Sequence, residues 1–208
     1  MTPDLQLLFG VLGAGYLLGS LPTAIIVCRI FFHVDITRIG SGNPGMTNVW
    51  RTLGWKPALP VALLDAGKGF FAAWLAAHWT HSMGWALVGG LAVVLGHAFS
   101  FLARFKGGKS VLTGFGVFLY LSPLASLSCL ALWGIVLAGT RYVSLGSIAA
   151  AVMLPVLIFF ESRWHGQPGV SSVFWTALII CAFVVLRHRA NLVRLLQGTE
   201  SRFQGKAS

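Results

Sequence analysis

The sequence is poor in acid. Among its 208 residues there are five carboxylates, Asp4, Asp35, Asp65, Glu161 and Glu200, against 15 lysines and arginines, for a net charge of +10. So few scattered acids exclude a carboxylate-rich metal centre. Cysteine is equally scarce. Cys28, Cys129 and Cys181 lie far apart inside apolar runs, with no Cys/His spacing suited to zinc and no disulfide framework. Several catalytic signatures are missing too. There is no Gly-x-Ser-x-Gly elbow. No histidine is followed five residues later by aspartate, which removes the His-x-x-x-x-Asp acid/base pair. Gly107-Gly108-Lys109-Ser110 ends like an NTPase phosphate loop, but position 103, where the first glycine belongs, is Ala.

Polarity itself is the largest shortage. Charged residues make up 10% of the chain and hydrophobic ones 56%, and the mean hydropathy is +0.80. A soluble globule of this length needs a more polar surface. The composition indicates an all-α integral membrane protein. Apolar segments long enough to be membrane-embedded helices fall at 5–30, 57–79, 85–102, 111–121, 123–138, 145–160 and 170–186. The first lacks a basic leader region and reads as a retained span. The fourth is short for a full crossing. Ser122-Pro123 reads as a turn between it and the fifth, since proline disfavours helix in the residue before it. The alternative is one long helix from Val111 to Leu137.

Charge decides between these readings. Seven spans with the N-terminus outside place Arg38, Arg51, Lys56, Arg104, Lys106, Lys109, Arg141 and the basic tail, Arg187 to Lys206, on the cytoplasmic side. Arg163 is then the one cation in an outer loop. A single long helix would move Arg141 and the tail outside, against the positive-inside tendency. The expected architecture is therefore seven membrane-embedded helices, some short, N-terminus outside and C-terminus cytoplasmic. Without an internal repeat or low-complexity linker, residues 1–208 read as one domain. The positive charge is topological, so a lipid bilayer is expected as the environment and nucleic acid is not expected as a partner.

Three polar segments share the cytoplasmic face, and positive-inside topology explains their cations but not their glycines and amides. The first is "GSGNPGMTNVWR", residues 40–51. Gly40, Gly42 and Gly45 allow backbone N–H groups to be presented in succession. Ser41, Asn43, Thr47 and Asn48 add short polar groups, and Arg51 adds a planar fork suited to phosphate. The second is "GHAFSFLARFKGGKSVLT", residues 96–113. Gly107 and Gly108 entering a helix leave free N–H groups and a positive dipole end, with Lys109 beside them. His97 reads first as a packed helix residue. The third is "RHRANLVRLLQGTE", residues 187–200. There His188 and Asn191 are three apart and can share a helical face, and Gly198 suits a helix end. An interfacial helix meeting anionic lipid is compatible with the same pattern. Ser144 and Ser147 stand one turn apart at the start of a span, where they can cap it. Asp65 and Lys68, three apart inside the second span, should pair or face a polar cavity. These residues describe a membrane protein with a cytoplasmic anion-binding pocket. The reactants then supply the anions, and the protein has no metal site to offer.

The three segments resemble, in order, the three motifs of the PlsY family, the bacterial acyl-phosphate:glycerol-3-phosphate acyltransferases. "YLLGSLPTA" (16–24) and "DAGKG" (65–69) also look like that family, so the resemblance covers nearly the whole chain. It implies transfer of a fatty acyl group from acyl phosphate to the 1-hydroxyl of glycerol 3-phosphate, giving lysophosphatidic acid and phosphate in phospholipid synthesis. Carried onto this chain, it makes Ser41, Arg51, Lys109, His188 and Asn191 the catalytic set. Gly42, Asn43, Thr47, Asn48, Gly107, Gly108, Ser144 and Ser147 become substrate-binding, with one or both serines reaching a phosphate. Glu200 closes the third motif and supports its loop. The resemblance implies no cofactor, no metal, and substrate-assisted chemistry without an acyl-enzyme, so that Ser41 binds and does not attack. It implies a bacterial inner-membrane enzyme with its active site on the cytoplasmic side. The chain departs from the family pattern at Ser100, where proline is common, and at Ser110 and Leu112, which replace a typical Gly and Ala. The competing reading is a transporter of an organic phosphate. Transporters place their site near the bilayer midplane, often within repeats, and no repeat is visible here.

Overall fold

A computed structural model of the chain describes residues 2–167 and 169–203. Lys206 of the expected basic tail lies outside them. The described residues are helical, with no strand. The chain divides into two compact units, one extending to Tyr120 and the other beginning at Leu121.

The first unit holds α1 (Pro3–Ser20), α2 (Thr23–Phe32), α3 (Met46–Leu53), α4 (Trp55–Thr80), α5 (Met83–Ala98) and α6 (Val111–Leu121), with short 3-10 turns at Ile36–Arg38 and Phe101–Ala103. The first expected span, 5–30, is thus two helices and not one. Leu21 is extended and Pro22 non-helical at the junction. Proline pushes its predecessor out of the helical region and brings no N–H of its own. The two helices still form one apolar span, Asp4–Phe32.

Glycine sets how closely the first unit's helices approach. A Cβ on Gly15 would meet Ala92 Cβ at 2.8 Å and Gly89 O at 3.0 Å, and one on Gly19 would meet the Val93 carbonyl group. Across another contact, a Cβ on Gly69 would meet Thr113 O, and one on Gly116 would meet Ala66 O. Apolar surface gives little driving force between helices in lipid, so backbone-to-backbone approach at small residues carries the packing instead. The result fixes α1 against α5 and α4 against α6.

The second unit holds α7 (Pro123–Thr140), α8 (Val143–Trp164), α9 (Ser172–Arg187) and α10 (Arg189–Leu196). Ser122, at φ −154° and ψ 77°, breaks the chain between α6 and α7. The single long helix from Val111 to Leu137 does not form. The helix α8 runs through Arg163, which was expected in an outer loop. The third motif is bent as well: α9 and α10 meet at 59°.

All seven expected apolar segments fall on helices. Among the described residues five spans are long and apolar enough to cross a membrane, and α9 with α10 make a sixth if the bent pair is one span. The remaining segment, α6, has 11 residues, which at 1.5 Å per residue is about half the hydrocarbon thickness. The three cysteines are free and buried.

Candidate anion-binding site

The first motif is a loop braced from beneath by one amide. Asn48, buried on α3, accepts from the Ser41 N–H through Oδ1 at 2.9 Å. Its Nδ2 donates to Ile36 O at 3.2 Å and Ile39 O at 3.1 Å. Three bonds from one side chain use most of what an asparagine offers. Gly40 and Gly42 lie at φ +59° and +69°, where a Cβ is disfavoured. A Cβ on Gly40 would also meet Asn48 Oδ1 and sit 2.6 Å from Thr52 Cγ2. The loop rests on an apolar floor of Ala24, Val27, Cys28, Ile36, Val49, Ala58 and Val61.

Upstream, Asp35 caps the turn. It accepts from Thr37 Oγ1 at 2.6 Å, Thr37 N at 3.1 Å and Arg29 Nη2 at 2.8 Å. The Thr37 and Arg29 hydrogen bonds hold its carboxyl well below the usual range, at about 2. Ser41 is exposed, and its Oγ accepts from Asn43 N at 3.4 Å. No histidine or carboxylate hydrogen-bonds to that hydroxyl among the described residues, so nothing beside it takes a proton from a nucleophile. Thr47 and Arg51 are four apart on α3 and share one of its faces. Arg51 is half-buried.

The second motif is a tightly tied loop between α5 and α6. Gly107 N donates to Ala98 O at 3.2 Å, Phe105 N to Ser100 O at 2.7 Å, and Ser110 Oγ to Val94 O at 2.9 Å. Arg104, Phe105 and Ser110 all lie at positive φ, a conformation that side chains resist and that surrounding structure must enforce. Ser110 lies at φ +61°, a region that favours glycine. Its hydrogen bond to Val94 O compensates for the less favourable backbone. Gly107 and Gly108 are buried, and Lys109 is half-buried between them and α6. Ser100 donates to Ser20 O at 2.5 Å, so it ties the loop's base to the end of α1.

The third motif and the start of α8 meet within the second unit at a carboxylate. Glu200 Oε1 accepts from Ser144 Oγ and Asn191 Nδ2, each at 2.7 Å, and Oε2 accepts from Arg194 Nε at 2.7 Å. Burial alone would raise this carboxyl. The bonds from Asn191, Ser144 and Arg194, with the Arg194 charge, outweigh it and hold Glu200 below its ordinary range. Gly198, at φ +68°, turns the chain just after α10 and brings Glu200 back under it. Ser144 therefore does not cap α8. Ser147 Oγ donates to Val143 O at 2.9 Å and does not cap it either.

His188 sits at the bend between α9 and α10, buried, with Nδ1 2.8 Å from Val184 O. A carbonyl only accepts, so Nδ1 carries the hydrogen and the ring orientation is fixed.

Three local assemblies emerge. Ser41 sits with Asn48, Gly107 and Gly108 sit with the end of α5, and Ser144 and Asn191 sit with Glu200. Sequence spacing named most of these residues. It did not join Ser144 to Asn191, because their link runs through Glu200. Asp65 and Lys68, expected to pair or to face a polar cavity, do pair, and His97, expected to pack in its helix, is buried beside them. His97 Nδ1 is 3.4 Å from Asp65 Oδ1, and Lys68 Nζ is 2.8 Å from the same oxygen. Among the described residues no group of three or more His, Cys, Asp or Glu is placed to hold a metal ion.

An all-helical membrane protein carrying glycine-rich, cation-bearing loops that suit phosphate is the class these features define. The comparisons specify it further. A family model described as glycerol-3-phosphate acyltransferase matches residues 9–198, and the chain belongs to that family. A glycerol-3-phosphate acyltransferase of Prochlorococcus marinus (strain MIT 9312) is 41% identical over 92% of this chain and 95% of its own. One from Bordetella pertussis is 42% identical over 99% of this chain and 96% of its own. The crystal structure of PlsY, an integral membrane glycerol 3-phosphate acyltransferase, in its glycerol 3-phosphate form superposes with a TM-score of 0.84. It is 37% identical and covers 95% of this chain and 96% of its own. The lysophosphatidic acid form of the same protein gives 0.83.

Proposed function

We propose that this protein transfers a fatty acyl group to glycerol 3-phosphate and releases lysophosphatidic acid. The observation that carries the reading is the family match, which runs from residue 9 to 198 and so contains nearly all of the three polar motifs. It also supports treating residues 1–208 as one functional domain. The donor is acyl phosphate. The 1-hydroxyl oxygen of glycerol 3-phosphate attacks the acyl carbonyl carbon, the carbon–oxygen bond to phosphate breaks, and inorganic phosphate leaves. A substrate phosphate oxygen takes the hydroxyl proton. The absence of an acid or histidine on Ser41 Oγ supports this route over an acyl-enzyme, with Ser41 a hydrogen-bond donor.

Arg51 and Lys109 neutralise phosphate charge, with Asn43 and Gly108 beside them; Gly42 and Gly107, whose N–H groups donate to Ile39 O and Ala98 O, shape the two loops, and Thr47 lies on the Arg51 face. Asn48 holds Ser41 in place. His188 and Asn191 complete the set, with Asn191 and Ser144 oriented by Glu200. Ser147 stands one turn along α8. No metal or cofactor takes part, which the scarcity of carboxylates supports. The protein is a bacterial inner-membrane enzyme with seven membrane-embedded helices, including the short α6. The N-terminus is outside, and the C-terminus and active site are cytoplasmic, as the distribution of arginine and lysine supports.

The decisive test gives purified protein acyl phosphate and labelled glycerol 3-phosphate in the presence of chelator. Lysophosphatidic acid is the expected product. No product, together with phosphate uptake into proteoliposomes, would establish transport instead. Arg51→Ala and Lys109→Ala should each lower turnover by about a thousandfold in a folded protein, the scale of removing a charge-stabilising group. Near-normal rates in either would remove that residue from the site. A cysteine placed at Ser201 should resist membrane-impermeant labelling from outside intact cells, and ready labelling would reverse the assigned orientation.

A further inference from the structure

Asp65, Lys68 and His97 are buried polar groups that the acyl-transfer reading leaves unused. They form one connected assembly inside the first unit. Asp65 Oδ1 accepts from Thr23 Oγ1 at 2.6 Å and lies 2.8 Å from Lys68 Nζ and 3.4 Å from His97 Nδ1. Lys68 Nζ also donates to Leu21 O at 3.1 Å, the carbonyl exposed where Pro22 interrupts the first span. The carboxylate is thus fixed from α2, from α4 and, through the imidazole, from α5.

The opposite edge of the His97 ring meets the second-motif loop. A Cβ on Gly108 would collide with His97 Nε2 and lie 3.1 Å from Cε1 and 3.3 Å from Cδ2. A Cβ on Gly107 would collide with His97 O, and at 2.7 Å with the Ala98 carbonyl group. The loop therefore lies directly on this ring and on the backbone beside it. It also needs an external wall, because three of its non-glycine residues are held at positive φ.

We propose that His97, held by Asp65, is a positioning residue that sets the Gly107–Gly108–Lys109 loop for phosphate binding. Asp65 accepts from Nδ1–H and fixes the ring rotation. The ring in turn fixes the height of the Gly108 backbone, and with it the direction of Lys109. This rests on the acyl-transfer reading for its kinetic consequence but not for its geometry.

The geometry makes an unusual demand. Gly108 does not lie in the left-handed region, so alanine there is opposed by the His97 ring and not by its own backbone. Gly108→Ala should push the loop off the ring. His97→Ala should let the loop sink or wander. The two together should partly restore the fit, because the new methyl occupies space the ring vacated.

The experiment uses full-length enzyme in lipid and steady-state kinetics for both substrates. Each single variant should raise KM for glycerol 3-phosphate about tenfold or more while kcat changes less, since a displaced loop weakens charge-assisted contacts to the bound phosphate. The double variant should recover part of that loss. Unchanged kinetics in His97→Ala, or a double variant as impaired as the two losses multiplied, would overturn the proposal. His97→Asn keeps a donor toward Asp65 and serves if the alanine variant does not fold. The modification rate of Lys109 by a small amine reagent, read by mass spectrometry with and without inorganic phosphate, is independent of turnover. It should rise in both single variants and fall back in the double. If wild-type protein makes no lysophosphatidic acid, the acyl-transfer reading fails, while the Lys109 rates still decide whether His97 positions the loop.

Discussion

Asp65 and Glu200 are both buried carboxylates, and the two units use them differently. Asp65 lies inside a span and answers a full cation, Lys68, at 2.8 Å, with the Thr23 hydroxyl and the His97 ring on the same oxygen. Its partners come from three helices, so it locks a bundle. Glu200 lies beyond the last helix. It gathers one amide, one hydroxyl and the guanidinium of Arg194, whose side chain is 43% exposed. Its partners include residues 56, 9 and 6 positions away, so it folds a tail back onto α8 and α10. A buried acid in a span must be matched in charge, because an uncompensated ion there is expensive. An acid at the edge can be satisfied mainly by hydrogen bonds.

That contrast orders the expected effects of breaking each centre. Asp65→Asn keeps the shape but leaves Lys68 charged and buried without a counter-ion. Stability should fall by about 3–5 kcal/mol, the cost of breaking one side of a buried pair. Thermal unfolding in detergent measures this, and a loss under about 1 kcal/mol would show that Lys68 is satisfied otherwise. Glu200→Ala should cost less, about 1–3 kcal/mol, from leaving Ser144 and Asn191 unsatisfied. Glu200→Gln should recover part of that, because its amide oxygen still accepts from both, while its NH2 cannot accept from Arg194. Equal losses in the alanine and glutamine variants would show that the charge, not the acceptor geometry, organises the third motif.

Acid should separate the centres further. Glu200 is held below its ordinary value, so its stabilisation is complete above about pH 4.3, where the unfolded group titrates. That stabilisation is lost as pH falls through the lower folded value. Asp35 behaves the same way lower down, with its contribution present above about pH 3.9 and lost toward about 2. Acid-dependent unfolding of Glu200→Gln should therefore be flatter than that of the wild type just below pH 4.3. A parallel pair of curves would remove Glu200 from the linkage.

The smallest effect belongs to Ser110→Gly. The glycine relieves the φ of +61° but gives up the hydrogen bond to Val94 O. These terms are each about 1 kcal/mol and opposed, so the melting temperature should move by only a few degrees. A large drop would mean that the hydroxyl, and not the backbone, holds the loop.

Much of this was legible in one dimension. Helices in lipid announce themselves by long apolar runs, so each of the seven segments could be located, and Pro123 marked where α6 gives way to α7. The anion-binding residue types were legible because cations, glycines and short amides are conspicuous in so apolar a chain. The break at Leu21–Pro22 was missed inside a run of uniform hydrophobicity, although Pro22 was its signal. The bend at His188 had no comparable marker. The partner of Ser144 was not legible, because a local pattern cannot reveal that Glu200, 56 positions away, returns to claim it.

The sequence by itself determined the membrane class, the helix positions and the chemistry on offer, because hydropathy and charge act locally and add along the chain. Only the tertiary structure decided which polar groups are spent on the protein and which are left to face a ligand. Asn48, Asp65 and Glu200 look equally available when read in order. Hydrogen bonding depends on distances of about 3 Å, and such distances are set between residues 42, 47 or 56 positions apart only when the helices have packed.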